Sequence, residues 1–300
     1  MAIQNSLQKS KGNQRLGITA YLTGDAVKNQ INQVVGGKNG QRFISAIVSA
    51  VNTNPTLQEC TNQSILSGAL LGESLKLSPS PQLGHYYLVP FNDKNKGKVA
   101  QFQMGYKGYI QLAIRSGQYK KINVIAVKEG ELEYFDPLNE EIKINMMIDK
   151  WDEREAAPTI GYYAMFELVN GFRKAIYWSK AQMEAHALKY SPGYKKDRRD
   201  GSNHTFWSKD FDGMAYKTML RQLISKWGIM SIDMQSAIDA DMAVINEDGS
   251  KDYVDNDDSI IDVEPPQSEE PQPEPRQEAE KKPEITQQPT DAQMALFGNK

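Results

Sequence analysis

Aromatic and charged residues are partitioned so unevenly along this chain that only part of it can build a core. Of its 27 Phe, Trp and Tyr residues, 25 precede residue 233. The same 232 residues carry 30 Lys and Arg against 20 Asp and Glu, a net of +10, whereas 233–300 carry 5 against 18, a net of −13. Half of the 14 prolines fall in those last 68 residues. A segment so poor in large apolar side chains cannot bury enough surface to offset the entropy of ordering it. The partition predicts a flexible basic arm over 1–20, a basic, aromatic-rich body over 21–232, a short helix over 233–246, and an acidic disordered tail over 247–300. The whole-chain net of −3 hides this polarity; a body at +10 suits a polyanionic partner.

Several classes are excluded early. No apolar run approaches the roughly 18 residues of a membrane span, and the N-terminus lacks the plan of a signal peptide, so a cytosolic protein is expected. One cysteine, Cys60, permits no internal disulfide, and three histidines, His85, His186 and His204, form no zinc-spaced cluster with it. No cofactor or metal is expected.

Hydrophobic period supplies the fold class. Phe43, Ile44, Ile47, Val48 and Val51 recur at helical spacing until Asn54-Pro55, and Ile65, Leu66, Ala69 and Leu70 predict a second amphipathic helix. Leu83–Phe91 and Lys98–Met104 flank a polar turn and read as a hairpin, with Pro90 assigning the first strand to an edge. Strand-like stretches follow at 122–127, 131–135 and 141–144. Ile160–Val169 and Phe172–Trp178 flank Asn170-Gly171, a dipeptide suited to tight hairpin turns. Ser179 and Gln182 form a capping-box pattern opening a helix. An irregular basic loop is expected over 190–204, then a long helix from about Ser208 to Trp227. The expectation is an α+β body of hairpins and a small antiparallel sheet packed with helices.

Catalytic patterns are weak. Gly36-Gly37-Lys38-Asn39-Gly40 lacks the spacing and the Lys-Ser/Thr ending of a phosphate-binding loop. Asp136, Glu141 and Lys143 imitate the elements of a metal nuclease, but read better as a turn and the exposed side of a strand. Tyr190 and Tyr194 beside Arg198 and Arg199 gather no further residues of a tyrosine recombinase.

Cations interleaved with aromatics are better represented. Residues 189–199 place Lys189, Lys195, Lys196, Arg198 and Arg199 against Asp197 alone, with Tyr190 and Tyr194 among them. Such segments neutralise phosphates while rings offer faces to bases. Phe206, Trp207 and Lys209 follow. On the long helix, Tyr216, Met219, Leu220, Leu223 and Trp227 make an apolar stripe that predicts Trp227 in the core, with Lys217 and Arg221 together beside it at a groove edge. In Gly105-Tyr106-Lys107-Gly108-Tyr109, leading to Arg115, the glycines allow close backbone approach to a ligand at a helix start, making Lys107 the leading phosphate contact.

Three blocks carry a resemblance: Leu83-Gly84-His85-Tyr86-Tyr87-Leu88-Val89-Pro90-Phe91, Gly105-Tyr106-Lys107-Gly108, and Phe211-Asp212-Gly213-Met214-Ala215-Tyr216-Lys217-Thr218-Met219-Leu220-Arg221. In this order, over roughly residues 20–235, the chain resembles the RecT family of phage and prophage recombinases. The resemblance implies an ATP-independent single-strand annealing protein that coats single-stranded DNA as a ring or helical filament. It also implies two partners, an exonuclease and the host single-stranded-DNA-binding protein, in a bacterial cytosol. Lys107, Lys217 and Arg221 stand at its basic positions. The expected DNA contacts are thus Tyr106, Lys107, Tyr109, Arg115, Lys195, Lys196, Arg198, Arg199, Phe206, Trp207, Lys209, Lys217 and Arg221. The apolar end Met294, Leu296 and Phe297 is expected to fold onto a partner. A metal nuclease and a plain strand-protecting protein are the alternatives.

Overall fold

The computed structural model describes residues 17–93 and 95–253. The expected partner motif at Met294, Leu296 and Phe297, and all but the end of the expected arm, lie outside them. The first layer is helical: α1 (Ile18–Thr23), α2 (Asp25–Val35), α3 (Gly37–Thr53) and, after a 3₁₀ turn over Pro55–Glu59, α4 (Asn62–Ser74). Asn54-Pro55 stops α3 as expected, because a residue before proline is driven out of the helical region. Helix α4 is not amphipathic: Ser64–Ala69 and Gly72 are all buried, so it runs through the core rather than over it. Thr61 caps it by accepting from the Ser64 amide.

Strands β1 (Tyr86–Asp93) and β2 (Gly97–Met104) form the expected hairpin, with Pro90 opposite Ala100. The sheet order is β1-β2-β8-β9, so β1 lies at its edge, the position a residue without an N–H tolerates. Helix α5 (Tyr106–Arg115) leads to β3 (Tyr119–Lys128) and the β4 (Leu132–Asp136)–β5 (Glu141–Ile144) hairpin. After α6 (Trp151–Ala156) come β6 (Thr159–Leu168) and β7 (Arg173–Ser179), joined to β3 in the order β3-β6-β7. Every strand pair is antiparallel. In the β6–β7 turn only Gly171 takes positive φ, at 88°, so the loop needs one left-handed residue rather than the two of a two-residue turn.

The remaining elements are α7 (Lys180–Tyr190), α8 (Pro192–Asp200), α9 (Phe206–Lys209), α10 (Phe211–Trp227), α11 (Ile232–Ala240), β8 (Ala243–Ile245) and β9 (Lys251–Tyr253). Ser179 and Gln182 form the expected capping box of α7. The irregular loop expected over 190–204 is instead mostly helix: Ser191 caps α8 and Pro192 opens it. Proline is well suited to a first helical turn, whose amide has no intrahelical partner. The long helix divides at Asp210, whose carboxylate accepts from the Gly213 amide to cap α10. A Cβ at Gly213 would overlap that carboxylate.

Two departures concern the ends. Helix α1 begins within the stretch expected to be an arm. Beyond residue 232, α11, β8 and β9 are folded, and Ala243 on β8 pairs with Phe102 on β2. Asp241, within the 233–246 stretch expected to form only a short helix, is 2% exposed. One apolar cluster runs from Ile31 and Ile47 through Tyr86 and Phe102 to Tyr162, Phe166, Leu220 and Ala243, uniting the four-stranded and three-stranded sheets and their helices.

Candidate nucleic-acid interface

The three sequence blocks meet at one cleft. Tyr87 and Leu88 come from β1, Met104, Gly105 and Tyr106 from the β2–α5 junction, and Gly213, Met214 and Lys217 from α10. Phe206 and Lys209 of α9, Asp210, and Pro79 and Pro81 also line this cavity of about 170 Å³, with the end of α3 and the 3₁₀ turn behind them. Its wall is predominantly apolar and aromatic: Tyr87 and Phe206 lie 5.8 Å apart between ring centroids, and Tyr106 meets Tyr216 edge-on at 5.5 Å. Tyr216 continues to Tyr162 at 6.1 Å, and the Tyr162 hydroxyl donates to Asp212 at 2.5 Å. Burial, with Asp210 adding to it, pushes the hydroxyl pKa of Tyr87 and Tyr106 up, so both remain neutral phenols.

Gly105 and Gly108 are required by the chain itself. A Cβ on Gly105 would overlap the Gly84 carbonyl oxygen, and one on Gly108 the His85 carbonyl oxygen. The Gly105 amide donates to His85 O at 2.9 Å. The close backbone approach expected to serve a ligand thus docks α5 against the segment entering β1. The result exposes Lys107 beside the cleft, its ammonium 6.0 Å from the Tyr106 centroid. Burial, then the charges of Arg115 and Lys107, lower the His85 pKa, which marks a locally positive surface.

The other expected contacts divide into exposed and internal groups. Lys195, Lys196, Arg198 and Arg199 all face solvent on α8. Arg198 reaches Glu184 at 3.3 Å and Arg199 pairs with Asp200. The helix is anchored by Tyr194 and by Asp197, which is 3% exposed. The Asp197 carboxylate accepts from the hydroxyls of Ser202, Thr205 and Ser208 and from the amides of His204 and Thr205. Burial alone raises this acid's pKa, but those donors outweigh burial and hold it at about 2. Trp207 is 7% exposed and packs edge-on against Phe211 at 5.2 Å, leaving Phe206 to face the cleft.

Lys217 and Arg221 do not form an open groove edge. Lys217 is 7% exposed, its ammonium 2.8 Å from Asp241 Oδ1, and Arg221 lies 2.7 Å from Asp241 Oδ2. Tyr109, fully buried, donates to the same carboxylate at 3.1 Å, and the Met104 amide does so at 2.9 Å. The expectation of two cations free for DNA at a groove edge is therefore corrected: they hold the C-terminal elements to α10. Arg115 is exposed and donates to the Leu75 and Lys76 carbonyls just past the end of α4. Trp227, expected in the core, is 38% exposed, with the Lys174 ammonium 3.6 Å from its centroid.

The nuclease elements lie together on the β4–β5 hairpin, Asp136 opposite Glu141 with Lys143 two residues along, but their side chains are otherwise engaged. Asp136 closes its turn by accepting from the Leu138 amide and the Asn139 side chain, and Lys143 pairs with Glu133. Among the described residues, no group of three His, Cys, Asp or Glu side chains is placed to hold a metal. Nor is any helix there long and apolar enough to cross a membrane. Sequence reasoning missed Met104 and Met214 in the cleft wall and the roles of Asp197 and Asp241. Spacing carries no sign of the last two, since each acts on residues from other elements.

Comparison with known proteins agrees with the convergence of the three blocks. The chain is 41% identical over 274 residues to the Bacillus subtilis (strain 168) protein YqaK, covering 88% of this chain and 87% of the relative. It is 28% identical over 246 residues to Protein RecT of Escherichia coli (strain K12), covering 78% and 86%. The profile of the RecT family matches residues 41–257. The chain belongs to the RecT family, a family of DNA-recombination and single-strand-annealing proteins.

Proposed function

We propose that this protein anneals complementary DNA strands without ATP, coating single-stranded DNA as an oligomer. The observation that carries the reading is the joining of an aromatic cleft, with Lys209 in its lining and Lys107 beside it, to a scaffold that also displays the four cations of α8. Annealing makes no covalent bond. The protein has only to lower the repulsion between two polyanions and keep bases available for pairing. Cations at Lys107, Lys195, Lys196, Arg198 and Arg199 supply the first, and Tyr87, Tyr106 and Phe206 offer apolar faces for the second. An exonuclease that generates single strands and a host single-strand binder are the proposed partners, with the bacterial cytosol as the site of action.

The test mixes complementary oligonucleotides with the full chain, EDTA and no ATP across graded salt. Accelerated duplex formation that weakens steeply with salt supports annealing. Binding without acceleration leaves strand protection alone, and strand shortening that requires Mg²⁺ would return the nuclease alternative.

A further inference from the structure

A second aromatic cluster, separate from the cleft lining, stands on α7. His186 and Tyr190 are four residues apart and so share a helix face. Trp178, at the end of β7, lies 5.4 Å from His186, and His186 lies 4.6 Å from Tyr190, between ring centroids. The Lys189 ammonium is 5.0 Å from the Tyr190 centroid. Tyr190 is 61% exposed, so the residue stands at the surface with Lys189 over its ring. The surroundings are cationic: α7 and α8 carry six Lys and Arg against Glu184, Asp197 and Asp200. Asp197 is buried, while Glu184 and Asp200 are engaged by Arg198 and Arg199.

We propose that Tyr190, backed by His186 and Trp178 and flanked by Lys189, is a stacking site for one unpaired base of a single-stranded nucleic acid. The proposal rests on the reading of the chain as a single-strand binder and assigns a contact outside the cleft. A phosphate attracts the Lys189 ammonium away from the ring face, and the uncovered ring takes the adjoining base. Burial, then the charge of Lys189, lowers the His186 pKa, so the supporting imidazole is neutral near pH 7 and adds no charge repulsion to the cluster. A base already paired has both faces covered by its neighbours in the duplex. The site therefore accepts single strands, and duplex reaches only the surrounding cations. Pairing would free a base from Tyr190 and leave the product held by phosphate contacts alone.

The full chain is titrated against a thymine oligonucleotide carrying one 2-aminopurine, and separately against a duplex of the same length. Wild type should bind the single strand and quench the probe. Tyr190→Ala should weaken single-strand binding by roughly five- to a hundredfold, the range for losing one stacked base, while duplex affinity changes less than about twofold. Tyr190→Phe, which keeps the ring face, should behave as wild type. Single-strand affinity and quenching unchanged in Tyr190→Ala would overturn the stacking site while leaving the annealing reading intact. Equal losses for single strand and duplex would also overturn it. Failure of wild type to bind the single strand would remove the underlying reading itself.

Discussion

Asp241 accepts from the Lys217 ammonium, the Arg221 guanidinium, the Tyr109 hydroxyl and the Met104 amide. Breaking a buried ion pair leaves an uncompensated charge, so Asp241→Ala should cost about 3–5 kcal/mol, read from denaturant unfolding. Lys217→Ala should likewise lower the melting temperature, so a DNA-binding defect in that variant is interpretable only beside a stability measurement. Lys107→Ala should behave oppositely, because its side chain is exposed. Melting should stay close to wild type while single-strand affinity falls and the slope of log K against log salt shrinks by about 0.7, the loss of one phosphate contact. Residue types at Lys107 and Lys217 are the same in the sequence, and only their surroundings separate a surface cation from a buried one.

At the scale of elements, α8 joins an anchored face to a charged one. Replacing Lys195 and Lys196 together with alanine should reduce the salt slope by about 1.4 and change stability little, since both side chains face solvent. The opposite face predicts a pH dependence. The Asp197 pKa is lowered to about 2 from its ordinary value of 3.8. A lowered folded-state pKa means the unfolded chain binds the proton more tightly. The contribution is therefore fully present above about pH 4 and is lost as pH falls towards 2. Asp197→Asn should flatten stability over that acid window, measured by unfolding at a series of pH values. The hairpins, the capping box and the end of α3 at Asn54-Pro55 were legible because each depends on neighbours in sequence. Helix α8 was also signalled locally, by Ser191-Pro192, but its Pro, Gly and charge content read as loop. A buried Asp197 and Tyr194 supply the packing that makes it helical.

For the molecule as a whole, the folded body extends past the charge boundary. Residues 1–253 carry 31 Lys and Arg against 26 Asp and Glu, a net of +5, and 254–300 carry 4 against 12, a net of −8. Ending the chain after Tyr253 should preserve cooperative unfolding and, by removing the acidic residues, raise single-strand affinity at low salt. Ending it after Ile232 removes Asp241 and the strand beside β2, and should abolish the cooperative transition in calorimetry. The sequence by itself determined the α+β class, the membership in a family of annealing proteins, and the blocks that would meet at the site, because period, turn chemistry and motif order are written along the chain. Tertiary structure alone decided which cations face solvent and that Gly105 and Gly108 serve the chain's own backbone. It also decided that an aspartate from the acidic end closes the core: burial and pairing depend on contacts between residues far apart in sequence, such as Lys217 and Asp241, which composition and spacing do not encode.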